Sequence, residues 1–403
     1  MFVVVEYDGM LLEAVQVPEP ITRIKRDIMS ASKLISDNEA RFLVDTYYQV
    51  QQFRIASAAQ VRQLDGNGEP NDFLSWTLST FEYTEKQIKN ALDKYTDQIV
   101  IGRWAKSIPG IGPVLAAGLS AYIDIERAPT AGAIWRYAGL DATSKWHGRE
   151  ASAELVKTAF EVEDDQTAAM LWLAEAFAMR PLDIYAAAGV DVAIGQDSIY
   201  DAIRTIQGDW GDEVNDLIED QVATHIHLDH AIASVCEYRN ISRWRMYNEL
   251  LGDEQIDKAK LRKALAKRPW NADLKRLCWL IGESFVKVQA NKHDVYGRVY
   301  VERKALEIER NEAGAFADQA AAALKAKRIG KDTDAYKACS QGKLPPAHIH
   351  ARAKRYAVKL FLAHWQHVAY ESHFGTPPPK PYVLEHVPGH VHFIAPPNWP
   401  LKE

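Results

Sequence analysis

The feature that most constrains this chain is a turn rich in glycine and proline, residues 109–113 (PGIGP), between two helical segments. Glycines at such a bend permit backbone angles that a Cβ atom resists. Pro113 suits the first turn of a helix, because its missing N–H would have no partner there. The pattern therefore predicts a hairpin between a helix ending near Ser107 and a helix starting near Pro113, with Ile111 filling the space between them.

Two interpretations of this hairpin stay open. In the first, the N–H groups of Gly110, Ile111 and Gly112 lie at the positive end of a helix and bind a phosphate oxygen. Arg103 and Lys106 would flank them. In the second, the segment is a helix–helix turn without a ligand. We favour nucleic-acid binding, because the pattern extends over the whole block and not over a single Gly-x-Gly.

Composition indicates an ordinary globular protein of two or three domains, since the chain has 403 residues, of which 47% are hydrophobic and 25% charged. No apolar run reaches membrane-spanning length, and no signal segment is recognisable at the N-terminus. The three cysteines, Cys236, Cys278 and Cys339, are odd in number and widely spaced. We therefore expect a cytoplasmic protein without a disulfide framework.

The formal net charge of −6 hides an uneven distribution. Lys and Arg minus Asp and Glu gives −5 for residues 1–100, +2 for 101–150, −13 for 151–250 and +10 for 251–403. Phosphate binding depends on the local field and not on the net charge. The basic last third is thus the better candidate for contacts with nucleic acid.

The expected fold is mainly α, with a small N-terminal β hairpin around Asp8-Gly9. Asp8 could instead be the first metal ligand of a ribonuclease-H-like nuclease, but residues 21–107 show helical spacing and not further strands. The expected organisation has five parts. They are a hairpin and coiled-coil-like helix pair (1–98), a helix-hairpin-helix (99–150), an acidic helical insert (151–260), a basic helical C-terminal region (261–375) and a tail rich in Pro and His (376–403).

The helix pair is predicted at residues 38–64 and 72–96, where apolar residues alternate at spacings of four and three. Arg54 and Ser57 interrupt the seam of the first helix, and Glu85 interrupts that of the second. Such a seam could close on itself or pair with a second copy of the chain, which would make a homo-oligomer.

Three histidines in the acidic insert, His225, His227 and His230, are candidate metal ligands. Only His227 and His230 share a helical face, whereas a zinc site needs three or four converging ligands. We favour ordinary surface histidines and predict no metal site.

Two basic groups follow the insert and could contact phosphates or could be solvated helix surface. In the second group the side chains stand three and four residues apart, and therefore form one helical stripe. The groups are Arg262, Lys263, Lys267, Arg268, Lys275 and Arg276, and then Arg352, Arg355 and Lys359.

Residues 108–141 (IPGIGPVLAAGLSAYIDIERAPTAGAIWRYAGLD) resemble the C-terminal domain of Piv-type DNA invertases and related insertion-sequence transposases. A second stretch, 267–277 (KRPWNADLKRL), resembles a basic, Asn-containing turn of that family. The resemblance implies an N-terminal ribonuclease-H-like domain with four acidic residues, a coiled-coil linker and a helix-hairpin-helix domain with a catalytic serine. Some members are guided by a structured RNA.

This chain departs from that pattern in three ways. The acidic nuclease domain is not recognisable, and a long insert separates the two matching stretches. Ser144 lies near the place of the family's serine, but Trp146 and His147 occupy the positions that align best. His147 could activate Ser144; the alternative, which we favour, is a surface loop with a solvated serine.

The leading hypothesis is a transposase-like protein of a phage or mobile element that binds the phosphate backbone of nucleic acid, DNA or a structured RNA, and no membrane. No cofactor is expected. One alternative is an active DNA recombinase that uses Ser144, with Mg²⁺ and acidic residues from another chain. The other is an oligomeric structural protein that does not bind nucleic acid.

Overall fold

The structure is a computed structural model that describes residues 5–7, 10–12, 30–141, 143, 145–208, 228–327, 329–379 and 393–401. Seventeen α-helices lie in these residues, which confirms the prediction of a mainly helical fold. The chain forms two units, one of Met1–Leu140 with Asp273–Glu403 and one of Asp141–Ala272. The second unit is therefore inserted into the sequence of the first.

The first unit contains the N-terminal segments, the helix pair, the hairpin and the C-terminal helices. Two short strands, β1 (Val5–Tyr7) and β2 (Met10–Leu12), pair antiparallel with Val5 opposite Leu12. A 3₁₀ helix (Ser32–Leu34) precedes the α-helices. These are α1 (Asp37–Asn67), α2 (Asp72–Gln98), α3 (Val100–Lys106), α4 (Pro113–Tyr122), α5 (Ala131–Tyr137), α13 (Ala272–Val288), α14 (Tyr296–Glu312), α15 (Ala317–Lys325), α16 (Asp334–Ser340) and α17 (Pro346–Phe374).

The second unit has its own hydrophobic core, which includes Met170, Tyr185, Ile203 and Tyr247. Its helices are α6 (Arg149–Val162), α7 (Gln166–Phe177), α8 (Pro181–Ala187), α9 (Gln196–Gln207), α10 (Leu228–Tyr238), α11 (Arg243–Leu251) and α12 (Lys258–Leu265). Part of its acidic composition has a local role. Asp165, for example, caps α7 by accepting from the N–H of Ala168 at 2.8 Å.

Several residues singled out in the sequence lie outside the described residues. They are Asp8, Ser144, His225 and His227, together with residues 380–392 of the tail rich in Pro and His. His230 is the third residue of α10. Within the residues that the structure does describe, no group of three or more His, Cys, Asp or Glu side chains could hold a metal ion.

The three cysteines are free and buried, as expected for a chain without a disulfide framework. Among the described helices, none combines the length and apolar composition needed to cross a membrane.

The core of the first unit joins the hairpin to the C-terminal helices. Trp104 of α3 stacks on Phe361 of α17, with ring centroids 5.8 Å apart. Its indole N–H donates to the carbonyl of Pro397 at 2.8 Å, which ties the end of the tail to α3. Gly118 of α4 lies so close to α13 that a Cβ there would stand 2.8 Å from a methyl group of Leu277. The hairpin is thus part of a common core and not a separate domain.

Two of the three polar residues that interrupt the helix-pair seam, Arg54 and Glu85, interact with each other between α1 and α2. Glu85 accepts hydrogen bonds from Arg54 and, at 3.0 Å, from Gln51. Burial by itself raises the pKa of Glu85, but hydrogen bonds from Arg54, Gln51 and Tyr47 outweigh burial and lower the pKa. The two interruptions therefore compensate each other across the pair and fix its register.

We expect Glu85→Ala to weaken the helix pair locally, because it leaves Arg54 and Gln51 without their acceptor. A cost of about 1–3 kcal/mol corresponds to exchange of the α1 and α2 amides that is faster by about fivefold to somewhat more than a hundredfold. Hydrogen exchange read by mass spectrometry measures this. The exposed Glu82 of α2 provides the matched control, Glu82→Ala, which should leave exchange unchanged.

The sign of the pH dependence follows from the lowered pKa of Glu85. Its contribution to stability is complete above the unfolded-state pKa of about 4.3 and is lost as the pH falls through the lower folded-state pKa. The difference in stability between the unsubstituted chain and Glu85→Ala should thus have its full value at neutral pH and decrease in acid. A difference that stays constant into strong acid would contradict this account.

Candidate nucleic-acid interface

Helix α3, a short turn and α4 follow one another over the residues for which the hairpin was predicted. The turn closes with a hydrogen bond from the N–H of Ile111 to the carbonyl of Ile108 at 3.0 Å. Gly110 has a φ of +92°, a left-handed conformation that favours glycine. Gly112 has an extended conformation, φ −91° and ψ 176°, and is the residue at which α4 begins.

Helix α13 holds the Gly110 side of the turn. The hydroxyl of Ser284 donates to the carbonyl of Gly110 at 2.5 Å. A Cβ on Gly110 would lie 3.0 Å from that hydroxyl and 3.3 Å from a methyl group of Val288. Gly110 is thus required both by its backbone conformation and by the close approach of α13. Its role in the turn is structural.

The Gly112 side of the turn is open. Gly112 is exposed, and a Cβ there would meet no atom of the described residues within 4 Å. In the same part of the chain, no side chain caps the N-terminus of α4. Because a helix leaves its first N–H groups without intrahelical partners, this end carries a partial positive charge in the solvent. This is the one part of the turn where a phosphate could approach the backbone closely.

Ile111 differs from its predicted role as a donor. Its N–H is used inside the turn, and its side chain is only 4% exposed. The side chain fills the space between the two helices, as predicted, but the residue has no free group for a ligand.

The two cations that flank the hairpin have different environments. Arg103 is exposed and donates to the carbonyl of Asp97 at 2.9 Å. Lys106 is paired with Asp93 at 2.6 Å and with Asp97 at 2.5 Å. Burial lowers the pKa of Lys106, but the hydrogen bonds it donates to Asp93 and Asp97 outweigh burial and raise the pKa. Lys106 is therefore protonated, and the carboxylates of α2 balance its charge and link α3 to α2. Arg103, in contrast, can still face a phosphate.

The first basic group is divided between the two units. Lys275 and Arg276 are exposed residues of α13 in the first unit, and the guanidinium of Arg276 lies 4.9 Å from the ring centre of Tyr48. The other four residues, also exposed, belong to the second unit; they are Arg262, Lys263, Lys267 and Arg268. Sequence proximity alone did not indicate this division.

The stripe on α17 is partly structural. Arg352 pairs at 2.6 Å with Glu307, a fully buried carboxylate that also pairs with Arg303 at 2.5 Å. The ammonium group of Lys359 lies 4.1 Å from the ring centre of Trp135. Arg355 is exposed. The even spacing of the stripe therefore does not produce three equivalent cations, because Glu307, a residue distant in the sequence, neutralises one of them.

The environment of His147 bears on the serine hypothesis. Nε2 of His147 lies 2.9 Å from the carbonyl of Ala176, and its ring meets the Phe177 ring edge-on at 5.0 Å. This histidine thus contacts the end of α7. Ser144, its suggested partner, lies outside the described residues.

Substitution of the two glycines should separate their roles. Gly110→Ala is expected to lower the free energy of unfolding by about 1–3 kcal/mol, because a left-handed backbone angle and contact with Ser284 and Val288 both oppose the new Cβ. Gly112→Ala should change it by less than about 0.5 kcal/mol. Urea denaturation followed by circular dichroism measures both. Equal stabilities of the two variants would contradict the assignment.

Comparison with known families places a match on this hairpin. The model of the Transposase IS116/IS110/IS902 family matches residues 103–158, which include the C-terminal half of α3, the turn, α4, α5 and most of α6. No curated protein and no solved structure matches the chain. The predicted resemblance to insertion-sequence transposases is confirmed over these residues, and in them the chain is similar to transposases of the IS116/IS110/IS902 family.

Proposed function

We propose that this chain is a transposase-like protein that binds the phosphate backbone of nucleic acid, most readily DNA, through the N-terminus of α4. The observation that carries the proposal is the uncapped, open end of α4 at Gly112, inside the segment that matches a transposase family. The exposed Arg103 precedes it, and the exposed Lys275 and Arg276 belong to the same unit. Contacts of this kind position a protein on a strand and do not read its bases.

Gly112→Asp tests this proposal without unfolding the protein. Aspartate is among the most favourable residues at the N-cap of a helix, which is the position of Gly112 in α4. Its carboxylate would bind the same N–H groups that a phosphate would use. We expect duplex affinity to fall about tenfold or more, and the plot of log affinity against log salt to lose about one phosphate contact, a slope change of about 0.9. Fluorescence anisotropy with a labelled duplex at several salt concentrations measures both.

Gly132→Asp is the matched control. Gly132 is an exposed residue in the first turn of α5, where a Cβ has ample room and an acidic residue is favourable. It adds the same charge to the same unit and should change affinity by less than about twofold. If Gly112→Asp and Gly132→Asp bind duplex equally well, the end of α4 does not form the interface.

An active recombinase is a second candidate, because the family match extends across position 144. In that case Ser144 would be the nucleophile for strand cleavage, with acidic residues supplied by another chain. Mg²⁺-dependent nicking of supercoiled DNA should then be abolished by Ser144→Ala and retained by Thr143→Ala. Nicking that survives Ser144→Ala would exclude this candidate.

A second copy of the chain is the partner that the helix pair favours. Large apolar side chains remain exposed along it, including Phe73 at 71% and Phe53 at 57%. We expect a dimer at micromolar concentration that Phe73→Ser converts to a monomer, whereas Phe374→Ser, an exposed aromatic outside the pair, should not. Light scattering coupled to gel filtration measures the mass, and a monomeric unsubstituted chain would contradict the proposal.

A further inference from the structure

A cavity of about 100 Å³ lies within the second unit, Asp141–Ala272. Its walls come from the segment before α6, the C-terminal ends of α7 and α8, and the end of α12 with the turn that follows. The apolar part of the lining consists of Ala187 and the buried residues Phe177 and Leu265, with Trp146 at one side. None of the proposed contacts in the first unit uses this cavity.

The aromatic wall is held in place by several contacts. The indole N–H of Trp146 donates to the carbonyl of Ala266 at 3.4 Å, and its ring meets Trp270 edge-on at 6.3 Å. The guanidinium of Arg268 lies 4.9 Å from the ring centre of Trp146. A cavity whose wall is already fixed can bind a ligand with little cost of ordering.

The charge around the cavity is opposite to that of its unit. Asp and Glu outnumber Lys and Arg by ten in residues 141–272. Among the residues that the structure describes, however, the cavity is lined by three exposed cations, Lys145, Lys267 and Arg268, and by no acidic side chain. No described carboxylate forms an ion pair with any of these three cations, and Arg268 also lies over the Trp146 ring. An anionic ligand can therefore approach them.

Size and charge together define the ligand. Sites for drug-sized molecules measure about 300–1,000 Å³, so a cavity of about 100 Å³ has room for little more than one planar ring. An apolar slot for a ring with cations around it fits a nucleobase together with its own phosphate. A paired and stacked base cannot enter such a slot, whereas an unpaired base can.

We propose that this cavity binds one unpaired nucleotide of a nucleic-acid strand, with the base against Phe177, Leu265 and Trp146 and the phosphate on Lys145, Lys267 and Arg268. The inference rests on the proposed function, since it supposes that the protein meets nucleic acid. It adds a second mode of recognition, which selects single-stranded or bulged positions and not duplex.

Filling the cavity tests the proposal. Ala187 lines it, whereas Ala186, its neighbour in α8, is exposed and does not. The full chain should bind a labelled hairpin oligonucleotide with one bulged nucleotide about tenfold more tightly than the same hairpin fully paired. Ala187→Leu should abolish this preference, and Ala186→Leu should retain it. Fluorescence anisotropy measures the affinities, and thermal melting verifies that both variants are folded.

A charge variant gives an independent readout. Lys267→Gln should weaken binding of the bulged hairpin and reduce the dependence of log affinity on log salt by about one contact. The control is Lys157→Gln in the same unit, since Lys157 is held by Glu154 and Glu161 and lies outside the cavity. It should change neither quantity.

The outcomes separate this proposal from the preceding one. If Gly112→Asp weakens duplex binding but Ala187→Leu leaves the preference for the bulge intact, the cavity proposal is wrong and the hairpin proposal stands. If Ala187→Leu removes the preference while Gly112→Asp behaves like Gly132→Asp, the hairpin proposal is wrong and the cavity proposal stands. Absence of any preference for the bulged hairpin in the unsubstituted chain also overturns the cavity proposal.

Discussion

The packing of α13 on the glycine hairpin is the contact on which the first unit depends. Ser284 fixes the carbonyl of Gly110, and Leu277 packs on Gly118, where an added Cβ would stand 2.8 Å from a Leu277 methyl group. In the sequence, the hairpin and α13 are separated by more than a hundred residues, and the whole second unit lies between them. The same contact gives the two glycines different roles: Gly110 faces α13, whereas Gly112 stays open.

Helical periodicity made much of the fold predictable. The helix pair and the hairpin follow from local signals, namely apolar spacing, a glycine turn and a proline at the start of a helix. The boundaries of the second unit were harder to predict from the sequence. The change from acidic to basic composition suggested residue 260, but Leu261 and Leu265 of the basic helix α12 are buried in the core of that unit. Charge follows the solvated face of a helix, whereas unit membership follows its buried face.

The candidate site shows the same limit for charged residues. Lys106 and Arg352 have the spacing expected of phosphate contacts, but Asp93 and Glu307 neutralise them. Such pairs join side chains of different helices, and hence no pattern within one helix reveals them. The pairing of Arg54 with Glu85 was hidden in the same way: each residue interrupts an apolar seam, and only their register across α1 and α2 shows why both are tolerated. Of the three residues predicted to offer backbone N–H groups, Ile111 uses its N–H inside the turn, Gly110 packs against α13, and Gly112 lies on the open side.

The acidic composition of the second unit bears on how it could engage a polyanion. A unit with ten more acidic than basic residues repels duplex, whose charge density is high along its whole length. Three cations around one cavity offset this repulsion only over about one nucleotide. Affinity must then come from burying a base, an energy that paired strands do not offer. The surrounding negative charge would thus act against duplex and sharpen selection for an unpaired position, while the open end of α4 in the first unit carries no such discrimination.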